Sequence, residues 1–161
     1  MSKQFNSKFM SRLKTLMSNR GMNSLLSKRE FLTVKNEGHN FYEIDENQKN
    51  HLDFNVRLYG DENTPYENGI FLLNFKYAPI TLEPSVKFIT RIYHPNFNNT
   101  NNIIINEKDK TTFFNILGYI RKLMKEPDLT NNIDKKIADE YKNNHEKFIV
   151  NAKEFVKRFA K

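Results

Sequence analysis

The order of two hydrophobic periods constrains this chain most: a period of two between residues 53 and 90, then one near 3.6 after residue 112. Phe54, Val56 and Leu58 alternate with Asn55 and Arg57, as one face of a half-buried strand requires. Residues 70–75 and 86–90 read as further strands, with Pro79 and Pro84 in the loop between them. The turn-rich stretch from Asp61 to Gly69 separates the first pair, so the strands form an antiparallel meander. Phe113, Ile116, Leu117, Ile120, Leu123 and Met124 then share one helical face, which Pro127 ends. Ile133, Ile137, Ala138 and Tyr141 predict a second helix, capped by Asn131 or Asn132. Phe148, Ala152, Phe155, Val156 and Phe159 predict a third. At the other end, Phe5, Phe9, Leu13, Leu16 and Met17 predict a helix over 5–19 that closes near Gly21. Residues 31–34 and 41–44 read as short strands in a mixed region. A meander of about four strands between helices is an α+β fold, because the sheet needs a helical layer to bury one face.

Composition narrows the class. A length of 161 residues suits a single domain over 1–161, with a variable, extended region at about 20–52. Charged residues make up 28% of the chain, and no apolar run approaches the ~20 residues that span a bilayer. The opening residues lack the apolar stretch of a secretory signal, so an intracellular location, cytoplasm and/or nucleus, is expected. Hydrophobic content of 38% is too high for disorder. Asparagine is abundant but scattered through patterned segments.

Cysteine is absent. Disulfides, thiolate nucleophiles and cysteine-ligated zinc are therefore excluded. His39, His51, His94 and His145 show no metal-motif spacing, and no metal or cofactor is expected. The net charge of +7 is localised. Residues 1–35 hold eight Lys or Arg against the single acid Glu30, whereas the rest of the chain balances eighteen of each sign. The excess marks the N-terminal element as a candidate docking surface.

Three segments carry a resemblance. They are Tyr59-Gly60 with Thr64-Pro65-Tyr66-Glu67-Asn68-Gly69-Ile70-Phe71, then Ile92-Tyr93-His94-Pro95-Asn96, and finally the apolar series from Ile137 through Tyr141, Phe148, Ala152 and Phe155 to Ala160. Together they resemble the ubiquitin-conjugating enzyme family over roughly residues 53–160, and the helix at 5–19 is similar to the family's first helix. The resemblance implies a cysteine eight residues beyond Asn96, where relatives hold ubiquitin as a thioester. Ile104 occupies that position, and a buried isoleucine there offers no nucleophile. The family's Trp-Ser-Pro segment is missing as well, since the chain has no Trp. The acidic residue that relatives place near the acceptor lysine falls at Asn131, with Asp128 nearby. His94, Pro95 and Asn96 then read as a vestigial motif: Pro95 fixes a turn, while His94 and Asn96 bond loop backbone.

The resemblance also implies that basic residues of the first helix dock partners, which makes Lys3, Lys8, Arg12 and Lys14 the candidates. The expected function is a catalytically inactive, non-enzymatic family member. It acts as a binding or regulatory module that engages an active ubiquitin-conjugating enzyme, ubiquitin or a ubiquitin-like protein, or a ligase. Two alternatives stand beside this. One is an active conjugating transferase whose catalytic cysteine has been replaced at Ile104. The other is a basic N-terminal helix that binds nucleic acid or an anionic membrane.

Overall fold

The structure, a computed structural model, describes residues 28, 29, 31–33, 35, 40–45, 47–106 and 112–161. The predicted helix at 5–19, with its basic residues, lies outside them. Four antiparallel strands form one sheet in chain order: β1 (Tyr42–Glu43), β2 (Asp53–Tyr59), β3 (Ile70–Tyr77) and β4 (Pro84–Phe88). Three helices follow: α1 (Phe113–Lys125), α2 (Lys135–Asn143) and α3 (His145–Phe159). The fold is α+β.

Alternation sets the two faces of the sheet. Phe54, Val56 and Leu58 of β2, Phe71, Leu73 and Phe75 of β3, and Val86 and Phe88 of β4 are all buried. Register places Phe54 opposite Phe75 and Leu73 opposite Phe88, so apolar rows continue across strands. Polar side chains meet on the outward face: the Asn74 amide donates to Asp53 and Asn55 at 2.9 Å each. Pro84 opens β4, an edge strand, where a missing N–H costs no ladder bond. β4 stops at Phe88, two residues before the predicted end. Beyond it the Thr90 hydroxyl, rather than a backbone carbonyl, takes the Leu72 N–H at 2.8 Å.

Helix α1 lies across the inner face. All six residues of its predicted apolar stripe are buried, and the Phe113 ring meets Phe75 at 5.0 Å and Tyr42 at 5.3 Å. Thr112 caps its N-terminus by accepting from the Asn115 N–H. Its exposed side ties down the β2–β3 turn. Asp61 pairs with Arg121 and, at 3.2 Å, with Lys125, while the Arg121 guanidinium stacks over Phe41 at 4.1 Å. Burial opposes the charge on Asp61, but these two cations outweigh it and hold the carboxyl below its ordinary range. Within that turn Gly60 has a steric reason, since a Cβ there would fall 1.7 Å from the Tyr66 carbonyl oxygen.

Two local expectations need correction. The described residues among 28–35 are helical, not a strand; Phe31 is buried and Leu32 is 47% exposed. Helix α2 begins later than Asn131 or Asn132 would have it. Its cap is Asp134, whose carboxylate accepts from the Ile137 N–H at 3.0 Å. Asn131 and Asn132 are engaged upstream, their amides donating to Asp128 and to the Leu129 carbonyl.

Candidate functional site

The loop after β4 brings the His94-Pro95-Asn96 motif into the protein interior. Tyr66, almost wholly buried, donates its hydroxyl to the Tyr93 carbonyl at 2.8 Å. This bond joins the Thr64–Gly69 turn to the start of Tyr93-His94-Pro95-Asn96, two segments that lie 27 residues apart. His94 is fully buried and stacks on Phe97 at 4.4 Å. Its Nδ1 lies 3.0 Å from the Asn96 N–H, and its Nε2 lies 2.8 Å from the Leu123 carbonyl. A backbone N–H can only donate and a carbonyl can only accept, so the ring is neutral with its proton on Nε2. Burial drives its pKa down to about 3, against the opposing pull of the Leu123 carbonyl. Both ring nitrogens are thus occupied by backbone groups.

Asn96 is equally committed. Its amide nitrogen donates to the Asp128 carbonyl at 2.7 Å and the Asn131 carbonyl at 3.2 Å, and its Oδ1 accepts from the Asp128 N–H at 2.9 Å. The Pro95 carbonyl accepts from Ile133 at 2.8 Å and Asp134 at 3.2 Å. Pro95 and Asn96 thus anchor the loop between α1 and α2, and His94 holds to α1 itself. Both donor hydrogens of the Asn96 amide are consumed, which leaves none to meet an oxyanion elsewhere.

Asp128 faces its own turn. Thr130 and Asn131 donate to its carboxylate through both side chains and backbone, and these bonds lower its pKa to about 2. The carboxylate is ionised but occupied. Asn131, at the position expected to be acidic, has its amide on Asp128 and its carbonyl on Asn96.

Ile104 requires a correction. The expectation was a buried side chain, but it is 64% exposed, while Ile103 and Ile105 on either side are buried. The Ile103 N–H donates to the Val86 carbonyl at 2.7 Å, which ties this segment to β4. The surface-facing position is therefore an apolar side chain with no nucleophile. The nearest preceding hydroxyl, on Thr100, donates to Asn98 at 3.0 Å. Lys3, Lys8, Arg12 and Lys14 lie outside the described residues. Lys153, Lys157 and Lys161, which line a cleft along α3, were missed as a group, although their spacing of four residues was legible.

The chain is similar to known proteins over most of its length. A family model described as ubiquitin-conjugating enzyme matches residues 26–156. The ubiquitin conjugating enzyme E2 B of Dictyostelium discoideum is 30% identical over 113 residues, 63% of this chain and 74% of that protein. An Arabidopsis thaliana protein named "Probable ubiquitin-conjugating enzyme E2 31" is 33% identical over 127 residues, 74% of this chain and 82% of its own length. A Plasmodium yoelii crystal structure assigned to the ubiquitin-conjugating enzymes superposes with a TM-score of 0.74 at 28% identity, covering 84% of this chain and 94% of that one. Motif, sheet order and relatives converge: the chain belongs to the ubiquitin-conjugating enzyme family.

Proposed function

We propose that this chain is a non-catalytic member of its family. It serves as a binding or regulatory module in a ubiquitin or ubiquitin-like conjugation pathway and engages an active conjugating enzyme, the modifier or a ligase. One observation carries the reading: the outward-facing residue at the nucleophile position is Ile104, in a chain with no cysteine. Thioester formation needs a thiolate to attack the activated carboxyl group, and no side chain here supplies one. The committed bonds of His94 and Asn96 support the same reading, because each works for the fold and leaves nothing for an acyl intermediate. Lys3, Lys8, Arg12 and Lys14 are the candidate partner-binding residues in this reading, and residues 1–161 act as one domain.

Calorimetric titration against ubiquitin and a panel of active conjugating enzymes tests the proposal. The expected result is a complex with at least one of them well below millimolar, lost when residues 1–19 are deleted if the basic helix is the contact. No binding to any member of the panel contradicts it.

A further inference from the structure

A cleft of about 430 Å³ opens between the turn at residues 64–68 and the last turns of α3, within the ~300–1,000 Å³ range of ligand sites. Lys153, Lys157 and Lys161 line one side. Lys153 and Lys157, four residues apart, share a face of α3, Lys161 follows the helix end, and none of the three has an ion pair among the described residues. The helix dipole accounts for basic residues in the last turn, but Lys153 stands further back. Pro65 and Val156, both half-buried, supply apolar surface in the cleft. Val150, one turn before Lys153, is 61% exposed and extends that surface along the helix. Glu67, on the opposite wall, is turned to the Asn63 N–H at 3.2 Å.

We infer that this cleft docks an acidic peptide segment bearing an apolar side chain. The peptide carboxylates meet Lys153, Lys157 and Lys161, and the apolar side chain rests on Pro65 and Val156. Charge complementarity with unpaired lysines names the sign of the partner. The apolar surface between two walls favours a peptide over a flat lipid headgroup layer, and no aromatic ring lines the cleft to stack a nucleobase. The inference is independent of the proposed loss of catalysis.

Fluorescence anisotropy with a fluorescein-labelled Glu/Leu peptide tests it on the full chain. Relative to the unmodified protein, K153E/K157E should bind about ten-fold more weakly. K135E/K136E makes the same change in net charge at exposed positions opening α2, and it should weaken binding by less than about two-fold. K153Q/K157Q, which removes charge without reversing it, should fall between the first variant and the unmodified protein. Circular dichroism melts establish that each variant is folded. Absence of peptide binding overturns the inference, as does equal weakening by the two reversals, which would mark attraction to net charge alone. Tighter binding of labelled oligothymidylate or of phosphatidylserine vesicles, with the same dependence on Lys153 and Lys157, overturns the choice of a peptide.

Discussion

Two neighbouring segments of this molecule differ sharply. Residues 94–96 are buried, and the ring nitrogens of His94 and the side-chain amide of Asn96 are paired within the protein. Residues 103–105, a few positions later, hold to the sheet by a backbone bond from Ile103 and turn the middle isoleucine to solvent. The first segment joins the Thr64–Gly69 turn, α1 and α2. The second covers the edge of β4 and presents Ile104. The difference teaches that the polar groups of the His-Pro-Asn motif are bonded within the fold. The position at 104 instead turns an apolar side chain outward.

Substitutions on the two segments should therefore differ by an order of magnitude. His94→Ala leaves the Leu123 carbonyl and the Asn96 N–H unpaired beside a new void, and should cost about 4 kcal/mol in denaturant unfolding. Asn96→Ala removes the brace to Asp128 and Asn131 and should cost about 2 kcal/mol. Equal, small effects at both positions would break the contrast.

Acid sharpens it. Folded His94 stays neutral down to about pH 3, whereas the unfolded chain takes up that proton near 6.5. Unfolding therefore binds a proton between those values, and stability falls as pH drops below 6.5, at a limiting slope of about 1.4 kcal/mol per pH unit. Denaturant midpoints measured between pH 6.5 and about 5, above the range where carboxylates titrate, should show this slope in the native protein and not in His94→Ala. A slope unchanged by the substitution would contradict the buried neutral ring.

The smallest expected effect lies at the second segment. Ile104→Ala should change stability by less than about 0.5 kcal/mol, the usual size for an exposed substitution. The chain has no thiol of its own, so single cysteines report position cleanly. Ile104→Cys should react with Ellman's reagent in the native state at least about ten-fold faster than Ile103→Cys or Ile105→Cys, because access governs thiol reactivity. Comparable rates would mean that the outward residue has been misplaced.

Strands β2, β3 and β4 and the three helices were legible in the sequence because their apolar residues recur with a clear period. Phe113 through Met124 even gave the buried face of α1 residue by residue. Where the pattern is a short unbroken run, it failed. Phe31-Leu32-Thr33-Val34 fits a strand or a buried helical turn equally well, and tertiary packing of the Phe31 ring on Phe54 at 4.9 Å accompanies the helical form. Ile103-Ile104-Ile105 offers no alternation to say which side chain points outward; its placement beside β4 decides that. The cap of α2 was misread because three candidate side chains, Asn131, Asn132 and Asp134, stand together, and the competing Asp128 turn engages Asn131. The lysine cleft escaped notice because its other wall, the turn at 64–68, is remote in sequence.

The central claim is that this family member carries no acyl group on sulfur. Incubating the chain with activating enzyme, ATP and fluorescent ubiquitin, then separating the products with and without reducing agent, tests it most directly. The account predicts no adduct sensitive to reductant, beside an active conjugating enzyme that charges fully. A reductant-released conjugate on this chain would contradict it.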